Sequence, residues 1–150
     1  VETPIKQTLA AYCHHVDNGE TDAVAALFTE DAVLRPRYDG DYEVNGRSRI
    51  RDWYAWYQAH FCAGIRNLRH LIHSIRIEAD GDEACAICYL SAWFVSLEDG
   101  RAYQAQGTYW DRLRREGDRW LFQERQIDVD FVVDCGTPFE QVTPMGWPDA

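Results

Sequence analysis

Asn67-Leu68-Arg69-His70-Leu71-Ile72-His73-Ser74-Ile75-Arg76-Ile77-Glu78-Ala79-Asp80-Gly81-Asp82 is where the hydrophobic period of the chain changes. Upstream, apolar residues recur at helical spacing. From Asn67 onward they recur every second residue, as on a strand with one buried face. The alternation breaks once: His70, Ile72 and Ser74 share one parity, Ile75 and Ile77 the other. A single bulge would turn both sets to one concave face. The pattern then repeats, predicting strands over 68–78, 84–97, 101–114 and 119–133. Their turns are Asp80-Gly81-Asp82, Glu98-Asp99-Gly100 and Glu116-Gly117-Asp118. Short Gly-containing turns join antiparallel neighbours, and strands this long make a strongly bent sheet.

Upstream, Ile5, Leu9, Tyr12, Cys13 and Val16 define one apolar helix face. Thr3 as cap and Pro4 at the first helical position start this helix, and Asn18-Gly19 ends it. Thr21 caps a short second helix with Val24, Leu27 and Phe28 inward. Ala32 to Arg37 reads as a strand, with Asp39-Gly40-Asp41 turning into a short return strand. After Asn45-Gly46, Ser48 caps a third helix, and Ala63-Gly64 breaks it. Ile50, Trp53, Tyr54, Tyr57 and Phe61 give that helix an aromatic inner face. Three helices around a hairpin and then an antiparallel sheet predict an α+β fold. It is a cone-shaped α+β barrel, with the helices packed on a strongly curved mixed or antiparallel sheet.

The 150 residues suit one domain. With 46% hydrophobic and 13% aromatic residues, the chain can build a core and wall an apolar cavity with rings. An aromatic-rich core with no cavity is the alternative. A net charge of -10 and the absence of any Lys/Arg run argue against a nucleic-acid surface. Arg47, Arg49 and Arg51 would be spread around a helix, and Arg112, Arg114 and Arg115 lie at a solvated strand end. Lys6 is the only lysine among 15 basic residues, an arginine bias that suggests a GC-rich, bacterial genome. Cys85 and Cys88 have CxxC spacing, but on a strand they point to opposite faces. Buried free thiols are therefore expected rather than a zinc or redox site. No signal-peptide or membrane-span pattern occurs, so a reduced, cytoplasmic setting is expected. The start at Val1 rather than Met reads as processing or trimming.

Asp17 ends the first helix and His70 opens the first long strand. A carboxylate and an imidazole from separate elements can meet in one cavity, where the carboxylate fixes the tautomer and stabilises the imidazolium. That is the chemistry of proton abstraction. The plain alternatives are a buried histidine satisfied by a backbone carbonyl and an acidic residue near a helix end. A carboxylate is electrostatically disfavoured at a helix C-terminus, which argues for a role. His14, one turn before Asp17, together with His15 and His73, reads as structural or solvated. No HxH or HExxH spacing exists, so no metal is expected.

Tyr12-x4-Asp17-x8-Ala26-Leu27-Phe28-x2-Asp31-Ala32 resembles the opening of the SnoaL-like branch of the nuclear transport factor 2-like superfamily. Arg69-His70-x7-Glu78-x-Asp80-Gly81-Asp82-x-Ala84 is similar to its first long strand. Gly107-x-Tyr109-x-Asp111-x-Leu113-x-Arg115 and Trp120-x4-Arg125 resemble its last two. The likeness runs to about residue 133, so 1–133 reads as the domain and 134–150 as a tail. The branch includes scytalone dehydratase, hexachlorocyclohexane dehydrochlorinase and polyketide cyclases, with ketosteroid isomerase more distant. In the first two, a helix Asp and a first-strand His form a catalytic dyad, and Asp17 and His70 occupy the matching positions. The chain departs from them too. Strand 84–97 lacks the dehydratase's second His, Val16 replaces its Tyr, and Leu34 replaces a Trp of the dehydrochlorinase.

The resemblance implies a cofactor-independent lyase, isomerase or cyclase acting on a small apolar or cyclic molecule, with His70 as base and Asp17 as its orienting partner. Tyr38, Trp53, Tyr57 and Trp93 are candidate pocket walls. Arg125 is a candidate for an anionic substrate group or a plain salt bridge. The alternative is a non-catalytic binding or assembly module, like the small subunits of ring-hydroxylating dioxygenases. A homo-oligomer is expected, a trimer ahead of a dimer. The tail carries Pro138, Phe139, Pro144, Met145, Trp147 and Pro148 and is expected to cover the cavity mouth or a subunit interface.

Overall fold

The computed structural model describes residues 2–139 and 142–149. Helix α1 (Glu2–Asp17) and the short α2 (Thr21–Ala25) lead into β1 (Phe28–Pro36) and β2 (Val44–Asn45). Helix α3 (Arg47–His60) and a single 3₁₀ turn (Cys62–Gly64) precede four long strands. These are β3 (Ile65–Asp80), β4 (Glu83–Ser96), β5 (Ala102–Glu116) and β6 (Arg119–Gly136). All six strands form one sheet in the order β2-β1-β6-β5-β4-β3. Only the β1–β6 pair is parallel. The cone is open rather than closed, because β2 and β3 remain edges.

Side-chain alternation assigns the faces. Ala84, Ala86, Cys88, Leu90 and Ala92 of β4, with Tyr109 and Leu113 of β5, are buried against the helices. Small residues on β4 let the sheet bend over α1, whose Ile5, Leu9, Tyr12 and Val16 fill the concavity. Burying each such large aliphatic side chain contributes roughly 1.5–3 kcal/mol. Thr8 Oγ1 donates to the Trp120 carbonyl at 2.6 Å and fixes α1 along β6. Gln58 Nε2 donates to the Val16 carbonyl at 3.1 Å and ties α3 to the end of α1.

The break in alternation within β3 is a bulge, as its parity predicts. The β3–β4 register shifts between His73 and Arg76, and Ser74 there takes φ 53°. A second shift, between Arg66 and Arg69, surrounds Asn67 at φ 58°. Another bulge, at Gln106/Gly107, brings β5 so close to β6 that a Cβ on Gly107 would lie 1.9 Å from the Asp128 carbonyl oxygen.

Several predicted boundaries shift. Helix α1 already includes Glu2, ahead of the predicted cap Thr3. Glu20 and Gly46, rather than Thr21 and Ser48, precede α2 and α3, and neither helix has a side-chain cap. Strand β6 continues to Gly136, past residue 133, because β5 stays paired with it to Ala102. Beyond it, Phe139, Val142, Met145 and Trp147 are exposed. The rest of the predicted tail, Glu140, Gln141 and Ala150, lies outside the described residues.

Candidate active site

Helix α1 stops where it does because Gly19 takes φ 70°. The Glu20 N–H donates to the His15 carbonyl at 2.9 Å and the Gly19 N–H to the Val16 carbonyl at 3.2 Å. These two bonds satisfy the last carbonyls of the helix and leave Asp17 as its final residue. Asp17 then projects onto the start of β3. Its Oδ2 accepts the His70 backbone N–H at 3.0 Å, and its Oδ1 lies 2.6 Å from His70 Nδ1. The bonds offset the unfavourable helix dipole. Both side chains are under one tenth exposed. With the carboxylate accepting, Nδ1 carries the ring proton and Nε2 keeps a free lone pair. Nε2 has no hydrogen-bond partner among the described residues.

His70 also lines an apolar cavity of about 250 Å³ between α1, α3 and the concave sheet face. This is just below the ~300–1,000 Å³ of drug-sized pockets, and it suits one or two rings. Tyr38, Trp53 and Tyr57, all expected from sequence, line it. Trp53 and Tyr57 stack with centroids 5.5 Å apart, so α3 presents a flat aromatic wall. Trp53 Nε1 donates to the Tyr42 hydroxyl at 2.9 Å, and that hydroxyl donates to Asp39 Oδ2 at 2.5 Å, holding the loop that carries Tyr38. Burial pushes the phenol of Tyr57 well above its usual range, so it remains a protonated donor. Cys62, beside Tyr57, is pushed up to about 11 by burial and is no nucleophile at neutral pH.

One expected wall residue, Trp93, and the candidate anion-binding residue, Arg125, do not border the cavity. Trp93 sits between the inward Ala92 and Phe94, so its ring is on the outer face of the sheet, 40% exposed. Arg125 is wholly buried and lies beneath the cavity rather than in its wall. Its Nε and Nη2 donate to Asp111 at 2.7 and 2.8 Å. Its guanidinium packs against Tyr12, Tyr109 and Phe122, 3.9–4.1 Å from each ring centroid. Burial opposes its charge, but the Asp111 carboxylate outweighs that and holds Arg125 well above its ordinary value. No anionic substrate group can reach it.

Sequence reasoning missed Tyr12, Tyr54 and Phe94 as wall residues. Tyr12 and Tyr54 were legible as inward positions of their helices, and Tyr12 precedes Asp17 by little more than one turn. Periodicity, however, does not separate a ring that fills the core from one that borders a cavity. The remaining histidines serve the surface. His15 pairs with Glu20 at 3.1 Å, His73 Nε2 is 3.3 Å from Ser91 Oγ on the outer face, and His14 is exposed. Among the described residues no group of three His, Cys, Asp or Glu is gathered to hold a metal, and all five cysteines are free. No helix of the described residues is long and apolar enough to cross a membrane.

Residues 1–126 match the model of the SnoaL-like domain, and the chain belongs to that family. The solved structures it resembles include hexachlorocyclohexane dehydrochlorinase type 3 from Novosphingobium barchaimii, at 14% identity and TM-score 0.77, over 95% of this chain and 94% of that one. A Novosphingobium aromaticivorans protein provisionally described as a scytalone dehydratase gives 19% identity and TM-score 0.77, over 95% of each chain. A second protein of that organism, provisionally described as an aromatic ring hydroxylase, gives 27% identity and TM-score 0.74, over 88% of this chain and 91% of that one. Among curated proteins none matches the sequence.

Proposed function

We propose that this chain is a cofactor-independent lyase or isomerase in which His70 takes a proton from carbon in a small, largely apolar, cyclic molecule. The reading rests on one observation. The imidazole that borders the apolar cavity is bonded through Nδ1 to a nearly buried carboxylate, which leaves Nε2 for the cavity. Asp17 orients the ring and stabilises the imidazolium formed on proton transfer. The cavity wall is largely apolar and offers no Lys or Arg side chain, which favours a neutral substrate. Dehydration, dehydrohalogenation, a double-bond shift and cyclisation all contain this step.

The test is a screen of cyclic alcohols, halides and enones, followed by His70→Gln and Asp17→Asn on any compound that turns over. His70→Gln lowers kcat by roughly 10²–10⁴-fold, the usual share of a general base, while ligand binding survives. Asp17→Asn is also severe, because an amide neither holds the tautomer nor stabilises the cation. Near-wild-type rates in both variants would refute the assignment. If nothing turns over, the chain is better read as a binding or assembly module.

A homo-oligomer, with a trimer ahead of a dimer, is part of the same proposal. Leu71, Tyr89, Trp93, Trp110 and Phe131 are exposed on the outer sheet face, and the tail adds Phe139 and Met145. A second copy would cover them. Light scattering at micromolar concentration checks this, and a monomer refutes it.

A further inference from the structure

Among the described residues, Asp39 is the one carboxylate that borders the cavity, and the proton transfer does not use it. It lies in the loop between β1 and β2. The Arg37 N–H donates to the Ile127 carbonyl and the Asp39 N–H to the Pro36 carbonyl, each at 3.0 Å, which fixes the start of the loop. Asp39 Oδ2 accepts the Tyr42 hydroxyl at 2.5 Å, and that hydroxyl accepts the Trp53 indole N–H at 2.9 Å. The carboxylate is thus tied to α3 through one oxygen, while Oδ1 has no partner among the described residues. Asp39 is exposed, and so are Tyr38, Trp56, Phe61 and Val132 of the same wall, so the mouth lies here. His70, with its side chain 9% exposed, lies at the other flank. Four strand spacings separate β3 from β1, about 19 Å along the sheet and less across the concavity. Between the flanks, His70 pairs with Ala92 and Ala92 with Ala105, and both alanines border the cavity. Their methyl groups leave this floor open, so a ring system can lie along it with one end towards His70 and the other towards Asp39.

We propose that Asp39 is a specificity-determining residue: it receives a hydroxyl at the outer end of the ligand and turns anionic molecules away. This rests on the proton-transfer reading above. It narrows the substrate to a neutral cyclic molecule whose hydroxyl lies remote from the carbon that His70 deprotonates. A carboxylate only accepts hydrogen bonds, so Oδ1 takes an O–H and offers nothing to a ligand carbonyl or carboxylate. The bond is charge-assisted, but at an open mouth it replaces one to water, which leaves a modest net gain. A ligand carboxylate in the same place meets a like charge at about 4 Å, which lowers affinity about fivefold even at the dielectric of water. Tyr42 is a positioning residue here. It does not border the cavity, but it keeps the carboxylate from swinging into solvent. Asp39 binds and takes no part in the proton transfer.

Naphthalene, 2-naphthol and 2-naphthoate share one ring system and differ by a neutral donor and an anion. Their binding is measured by equilibrium dialysis. Wild-type protein is expected to bind the naphthol about threefold to tenfold tighter than naphthalene, the value of one net hydrogen bond. It should bind the naphthoate about fivefold more weakly than naphthalene. The net charge of -10 also repels anions, so Asp39→Asn isolates the residue. That variant keeps an acceptor for Tyr42 but loses the charge. It is expected to bind the naphthoate about as well as naphthalene, with naphthalene affinity unchanged. Tyr42→Phe should shrink the naphthol preference alone, and His70→Gln should leave all three ratios intact. Equal affinities in the wild type, or a naphthoate penalty that survives in Asp39→Asn, overturn the site while the proton-transfer reading stands. If none of the three binds, both fall. Should Asp39→Asn fail to fold, an undiminished naphthol preference in Tyr42→Phe overturns the site by itself.

Discussion

Replacing Asp111 by Leu removes a carboxylate that has no contact with water and leaves the Arg125 guanidinium buried without its counter-ion. The cost follows from the geometry. Both side chains are 0% exposed, so neither solvent nor salt screens the loss. The two hydrogen bonds, at 2.7 and 2.8 Å, are all the conventional bonds the guanidinium makes, and Nη1 has no partner. Breaking one side of such a pair costs about 3–5 kcal/mol. For a chain of this length that is a fall in Tm of about 6–20 °C. The double variant Asp111→Leu/Arg125→Met removes both charges and keeps the volume, and buried pairs replaced in this way often come out neutral or stabilised by about 1–4 kcal/mol. It is therefore expected to be more stable than the single variant. Urea unfolding at fixed protein concentration gives both numbers, and an unchanged m-value keeps them comparable. The reasoning fails if Asp111→Leu stays within about 1 kcal/mol of wild type, well short of the cost of an orphaned buried charge, or if the double variant is no better than the single.

Gly107→Ala places a Cβ 1.9 Å from the Asp128 carbonyl and has to open the β5–β6 bulge. A loss of at least about 3 kcal/mol in urea titration is expected, the upper end of overpacking costs. Ser74 pays for its φ of 53° in the β3 bulge, and Ser74→Gly should raise stability by about 0.5–1 kcal/mol; a loss would mean the hydroxyl matters more than the backbone. Burial pushes Cys13 and Cys62 up to about 11 and Cys88 up to about 12. Since these values lie above the ordinary thiol range, the three stay neutral at pH 8 and react more slowly with iodoacetamide. The exposed Cys85 and Cys135 are labelled first, as peptide mass mapping would show.

The change of period at Asn67 carried most of the fold. It predicted four long strands, their turns and the bulge that keeps His70 and Ile77 on one face, because a buried concave face leaves its mark at every second residue. Helix caps were less legible. Thr21 and Ser48 are good cap types, yet the chain enters both helices one or two residues earlier, where tertiary contacts such as Arg47 Nε to the Phe28 carbonyl, at 2.8 Å, override local preference. The meeting of Asp17 and His70 was read from their places on helix and strand and from a family likeness. Arg125 stayed open between an anionic ligand and a plain salt bridge, because a strand residue opposite Asp111 in the β5–β6 register reads the same whether its charge faces a ligand or a buried partner; the structure shows the salt bridge. Trp93 failed for a simpler reason. The sequence shows which residues alternate, but the absolute face of β4 is set by the small residues Ala84, Ala86 and Ala92 packing inward.

Proton abstraction by His70 is tested most directly by hydrogen exchange at carbon in D₂O. A compound that turns over, or a cyclic ketone such as α-tetralone, is incubated with wild-type protein and with His70→Gln, and deuterium uptake next to the functional group is followed by NMR. The wild type is expected to speed the uptake, and His70→Gln to lower the enzymatic rate by at least about 10²-fold with binding retained. Uptake in His70→Gln equal to that of the wild type, or a product formed by the wild type without any carbon-bound proton being lost, would contradict the account.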